Sequence, residues 1–173
     1  MTDPKQVAKH AALSDDGLYR YALHRWWGDG DRLRFVMLNP STADAEVDDP
    51  TIRRCIGFAR TLGYDGIGVF NLYAFRATKP ADLWKADEPT GGDRNDDLLR
   101  EVLRQAKAQP VIAAWGANAK ADRVDEFMSW SGSDRVLALG VTKHGAPRHP
   151  LYLRADAAPT PYPPALAEPT EPQ

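Results

Sequence analysis

A chain of 173 residues, 43 % of them hydrophobic and 27 % charged, is long enough for one substantial core and short for two. Its formal net charge of -2 excludes a nucleic-acid binder held by bulk positive charge, though not a local basic patch. The lone cysteine, Cys55, excludes an intrachain disulfide and a cysteine-cluster metal site, and no apolar run reaches the roughly 20 residues that cross a bilayer.

Residues 1–17 are polar, without an apolar core of signal-peptide length; a loosely held segment and a cytoplasmic location are expected. "LYRYALHRWW", "GDGD" and "RLRFVML" read as two strands of a hairpin around a Gly/Asp turn. "DDPTIRRCIGFARTLGYDG" reads as a helix capped by Asp48 or Asp49, with Pro50 in its first turn and Ile52, Ile56, Ala59 and Leu62 on one face. "GIGVFNLYAF" is a second buried strand. A long irregular connection follows, with a short helix near Pro80 to Lys85. "DRNDDLLREVLRQAKAQ" is a helix with acid early and base late, the order the macrodipole favours. "PVIAAWG" is a third strand, "ANAKADRVDEFMSWSG" a third helix and "DRVLALG" a fourth strand. From Ala155 onward the prolines predict a tail without regular structure.

Hairpin, then strand–helix repeats with continuous apolar strands, predicts an α/β fold. It is expected as a three-layer α/β/α sandwich with a mostly parallel four-stranded central sheet and an N-terminal β-hairpin. One domain is expected over residues 18–154, with a Pro-rich tail over 155–173. In such sheets ligands bind beyond the carboxyl ends of the strands. Four stretches therefore carry the functional question: "NPSTAD", "NLYAF", "WGANA" and "GVTKHGAPRHPLYL".

Asn39 can orient a water or bind an amide edge, and Pro40 fixes the backbone beside it; the plain alternative is an Asx turn closing a strand. Asp44, Glu46, Asp48 and Asp49 are either oxygen ligands for a divalent cation or a solvated loop with helix caps. Asn71 ends a buried strand, where a carboxamide must find partners; it reads the amide edge of a base or bonds to backbone. Trp115 and Gly116 permit close approach of a ligand or simply punctuate strand and helix. Lys143, His144, Arg148 and His149, stiffened by Pro147 and Pro150, suit an anionic group, and Tyr152 can stack on a base; a packed surface loop is the alternative. Ser41 and Tyr73, in the first two stretches, join the substrate-binding candidates.

As an ordered set, strand-Asn-Pro, strand-Asn, strand-Trp-Gly-x-x-Ala and a late His-Pro resemble the motifs of the uracil-DNA glycosylase superfamily. "GIGVFNLYAFRATKPADL" and "MLNPS" are similar to its mismatch-specific uracil/thymine branch, and "RHPLYL" to the classical uracil branch. More closely, "LNPSTAD", "NLYAFRAT", "WG" and "TKHGAPRHPLYL" resemble the bacterial and phage domain-of-unknown-function family 1643, over roughly residues 18–154. The superfamily resemblance implies base flipping and hydrolysis of an N-glycosidic bond. Asn39 would hold the attacking water, Asn71 would bond the base edge, and His149 would stabilise the departing base anion. Gly116 and Ala119 would hold the turn after the third strand, and Leu151 or Leu153 would fill the gap left by a flipped base. Where the classical branch has a catalytic Asp the chain has Asn39, with Asp44 nearby, and Leu151-Tyr152 stands where that branch has Ser.

The expected function is thus action on a nucleobase in DNA or a nucleotide, with catalytic Asn39, His149 and Asp44 and no cofactor. One alternative is a non-catalytic nucleic-acid or nucleotide-binding module. The other is a metal-dependent hydrolase using Asp44, Asp48, Asp49 and His149.

Overall fold

The computed structural model describes residues 7–41 and 46–164. Among these, one sheet is built from β1 (Ala8–Leu13), β2 (Arg20–Trp26), β3 (Arg32–Met37), β4 (Gly66–Asn71), β5 (Val111–Ala113), β6 (Leu137–Ala138) and β7 (Thr160–Pro161). The helices are α1 (Pro50–Thr61), α2 (Pro80–Leu83), α3 (Gly92–Arg104) and α4 (Ala121–Ser129), which makes the protein mixed α/β. Across the sheet the order is β1-β2-β4-β3-β5-β6-β7. Strands β4, β3, β5 and β6 are mutually parallel, whereas β1, β2 and β7 run antiparallel to their neighbours.

The expected hairpin of β2 with β3 does not form, because β4 lies between them. Leu23 of β2 and Phe35 of β3 both face Val69 of β4. The "GDGD" turn is built to admit that strand. Asp65, which leads into β4, accepts from Gly30 N at 2.8 Å through its carboxylate. Its backbone carbonyl accepts from Trp27 N, and its own N–H donates to Asp31 O, both at 2.9 Å. A Cβ at Gly28 would lie 2.7 Å from the Asp65 carboxylate carbon, so the small residues make room for this side chain. The Gly/Asp composition that suggests a tight turn here serves a wide one.

The hairpin instead joins β2 to β1, so residues 8–13, expected to be loosely held, form an edge strand. Its ladder is irregular. Ala12 faces Ala22 and Leu13 faces Arg20, so Tyr21 is passed over. Such a bulge breaks the strict two-residue alternation of side chains. Tyr21 and Ala22 therefore both face the α3 side, Tyr21 under the Arg94 guanidinium at 4.3 Å and Ala22 within the core.

Alternation elsewhere divides the apolar residues cleanly. Leu33, Phe35, Ile67, Val69 and Ile112 meet Ile52, Cys55, Phe58 and Ala59 of α1. Val36, Phe70, Ala113 and Ala138 meet Leu99, Val102 and Leu103 of α3 and Phe127 of α4. Burying each large side chain contributes about 1.5–3 kcal/mol. Of the predicted α1 stripe, Ile52 and Ala59 are buried, Ile56 and Leu62 pack at its margin, and Cys55 and Phe58 occupy the centre. Residues of the expected irregular tail also join the fold. Thr160–Pro161 pairs with β6, and Tyr162 stands edge-on to Trp115 at 5.5 Å.

Candidate functional site

From β3 the chain steps through α1 to β4 on one side, then through α3 to β5 on the other. The carboxyl ends of these strands diverge at that reversal, where α/β sheets bind ligands. A cleft of about 530 Å³ opens there, lined by residues that follow β3, β4, β5 and β6 and by the first turn of α1.

Asn39 closes β3 at the cleft wall. Its amide nitrogen donates to Pro40 O at 3.0 Å and Ala77 O at 2.9 Å. Both partners are pure acceptors, so the orientation of the amide is fixed by chemistry and Oδ1 is the end left over. It has no hydrogen-bond partner among the described residues. Pro40 and Ser41 line the cleft beside it, and Ser41 Oγ lies 3.4 Å from Asp49 Oδ2.

Asn71, the last residue of β4, is 2 % exposed and lines the same cleft. Its backbone carbonyl accepts from Asn95 Nδ2 at 3.0 Å, while its side-chain amide has no partner among the described residues. A carboxamide so buried normally has one, since each unmet polar group costs about 1–3 kcal/mol. The unmet donor and acceptor face the space a ligand would fill.

Gly116 follows β5 in the left-handed region, at φ +73°. Its N–H donates to Pro147 O at 2.9 Å and ties the β5 end to the loop that carries His149. Trp115 lines the cleft but is 3 % exposed and packs edge-on against Phe127 at 5.6 Å, so it works mainly as core.

His149 Nδ1 accepts the Leu151 N–H at 3.3 Å. That nitrogen must then be unprotonated, which places the neutral ring's proton on Nε2. Burial pushes its pKa below the ordinary histidine value, against an opposing pull from Asp49. The loop is pinned to α1 by Arg54, which donates to Pro150 O at 3.3 Å and to Leu153 O. Arg148 lines the cleft, its Nε held by Val141 O at 3.1 Å. Leu151 and Tyr152 form the lip and are 46 % and 76 % exposed.

Two of the expected binding residues stand elsewhere. Lys143 sits at the exposed tip of a small hairpin closed by Thr142 N donating to Ala146 O at 2.8 Å, which carries it and His144 away from the cleft. Tyr73 is core. Its ring meets Trp84 at 5.0 Å, and its hydroxyl accepts from Lys120 N at 3.3 Å. Asp44 lies outside the described residues.

Two carboxylates that follow Asp44 are committed to structure. Asp48 Oδ1 pairs with the buried Arg25 at 2.8 Å, and Asp49 Oδ1 caps α1 by accepting from Ile52 N at 2.8 Å. Among the described residues no group of three His, Cys, Asp or Glu side chains is gathered as a cation would need.

Arg20 is a cleft residue that reading strand ends missed, and Asp49, expected as a helix cap or cation ligand, also faces the cleft. Arg20 opens β2, and because β2 is antiparallel to β4 its start lies where the parallel strands finish. The strand also holds His24 and Arg25, so its composition does not single Arg20 out. No curated protein matches the chain. The model of a family described as "Protein of unknown function (DUF1643)" matches residues 20–151, and the chain belongs to that family.

Proposed function

We propose that the cleft binds a nucleobase attached to its sugar and hydrolyses the N-glycosidic bond. On this proposal the fold is a three-layer relative of the uracil-DNA glycosylases. The observation that carries it is the convergence of Asn39, Asn71 and His149 on one cleft, each neutral and each with an unused polar end. Asn39 offers an acceptor, His149 a donor, and Asn71 both. A pyrimidine edge, with its alternating carbonyls and N–H, meets such a set in full.

In the reaction, Asn39 Oδ1 orients a water toward the sugar C1′. The C1′–N bond breaks with its electron pair leaving on the base, and the positive charge developing on the sugar needs no strong nucleophile. His149 Nε2–H stabilises charge on the base carbonyl. Water oxygen bonds to C1′, and its proton passes to the released base. Leu151, exposed at the lip, fills the space of a flipped base if the substrate is polymeric.

Base release is measured on single strands, duplexes and nucleotides carrying uracil, mismatched thymine and modified pyrimidines. Wild type is expected to release base from one of them, and Asn39→Ala to lose roughly 100-fold or more, as when positioned water is lost. No release by wild type from any substrate, with affinity for every probe unaltered in Asn71→Ala, would refute the proposal. A non-catalytic binding module is the second reading. It is favoured by Asp49, the described carboxylate of the cleft, being occupied as a helix cap. It predicts binding that weakens in Asn71→Ala without turnover.

A further inference from the structure

We infer that Arg20 is an anion-binding residue inside the cleft, and that the natural ligand is a nucleotide carrying its phosphate rather than a bare base or nucleoside. The identity of the base-bearing part rests on the function proposed above; the anion subsite does not.

Four arginines are buried among the described residues, and the guanidinium of three of them donates to the fold, although Arg34 Nε stays unmet. Arg25 pairs with Asp48 and donates to His24 O. Arg34 donates to Gln105 and to Gln109 O. Arg123 binds Leu72 O, Asp96 and Glu126. Arg20 is the exception. At 5 % exposure it lines the cleft, and its guanidinium has neither a hydrogen bond nor an ion pair with any described residue. Its nitrogens are not sealed within the fold but open to the cleft, where a ligand can supply the partner that the described residues do not.

The backbone delivers it there. With strict alternation Arg20 would share the face of Ala22, on the α3 side. The bulge at Tyr21 turns it to the opposite face, beside Asp49, Thr51 and Ile52 at the start of α1. Bulges next to sites commonly re-aim a side chain in this way. Asp49, the carboxylate it meets across the cleft, already accepts from Ile52 N and forms no ion pair with it. Arg148 adds a second cation, and Thr51 and Thr142 add hydroxyl donors to the same lining. Two arginines against one aspartate make the cleft cationic in a chain of net charge -2.

Burial decides which anion fits. A polymer's backbone touches exposed cations at a rim, whereas Arg20 is reached only from within a cleft of about 530 Å³, a usual size for a small-molecule site. A guanidinium suits phosphate oxygens through its paired N–H groups. Asn71 and His149 in the same cleft supply the base contacts, so phosphate and base belong to one ligand.

Calorimetry tests this with pyrimidine nucleosides, their 5′-monophosphates, short single-stranded oligonucleotides and inorganic phosphate. Wild type is expected to bind a monophosphate roughly 10- to 100-fold more tightly than its nucleoside, the range of a charge-assisted hydrogen bond. Arg20→Met should erase that preference and leave nucleoside affinity within about twofold, and Arg20→Lys should keep part of it. Without ligand, Arg20→Met should melt no lower than wild type, because an unanswered cation has gone; a purely structural arginine would give the reverse. Equal affinity for nucleoside and monophosphate in wild type overturns the proposal, as does a preference unchanged in Arg20→Met. Tighter binding of the oligonucleotide than of the monophosphate, lost in Arg20→Met, keeps the subsite and overturns the small-molecule assignment. Arg20-dependent phosphate binding to which the base adds nothing also keeps the subsite and removes the base-handling function.

Discussion

Neutral histidine is what the loop around His149 demands. A proton on Nδ1 would turn the acceptor of the Leu151 N–H into a second donor and break the turn. Burial works in the same direction, lowering the pKa, while Asp49 pulls it back up. NMR titration should therefore find the Nε2–H tautomer at neutral pH and a midpoint below the ordinary value of about 6.5. A midpoint above it, or the Nδ1–H tautomer, would contradict the donor role. Asn39 and Asn71 stand out in the sequence because apolar runs stop beside them, and His149 because a Pro-flanked basic loop follows the last such run. Lys143 was over-read for a physical reason: four cations close in sequence are split by the hairpin at Gly145, which holds Arg148 and His149 at its base and sends Lys143 outward. Arg20 was hidden because it begins a strand, and nothing local reveals that this strand runs against the others.

At the scale of elements, α1 ties the site to the fold. Asp49 caps the helix and faces the cleft, so its two roles are separable by substitution. Asp49→Ala should cost about 1 kcal/mol in thermal or denaturant unfolding, the typical value of a lost cap, whereas Asp49→Asn keeps an acceptor and should be near neutral. Both remove the negative charge opposite Arg20, and both should tighten phosphate binding, measured by calorimetry. If Asn and Ala destabilise equally, the cap is not what Asp49 supplies. Helix α1 was legible from its apolar periodicity, α3 from its charge order and the parallel strands from their apolar runs. The pairing of β2 was not, because alternation marks a strand without naming its neighbour. The same Gly-Asp residues that close a tight hairpin also make the open cradle around Asp65.

For the molecule as a whole, a buried histidine couples stability to pH. His24 faces His10 across β1 and β2 at 5.9 Å, and its Nδ1 is buried without a partner among the described residues. Burial first, then the charges of Arg32, His10 and Arg25, push its pKa down to about 4. An unfolded chain protonates this histidine near pH 6.5, and the folded one resists until about 4. Stability is unaffected above that window and falls as pH drops through it. The melting temperature should decline between these limits more steeply in wild type than in His24→Gln, and parallel declines would exclude His24 as the cause.

The carboxylate cradle also bears on the order of assembly. Asp65 and Gly30 are 35 residues apart, yet the turn between β2 and β3 takes its shape from that contact. The two strands flanking the turn gain no ladder from each other and must wait for a third, distant in the chain, to slide between them. Loop closure therefore precedes any reward, the circumstance that makes folding slow. The cleft, lined by residues that follow β3 and β4, is complete only once β4 lies between β2 and β3.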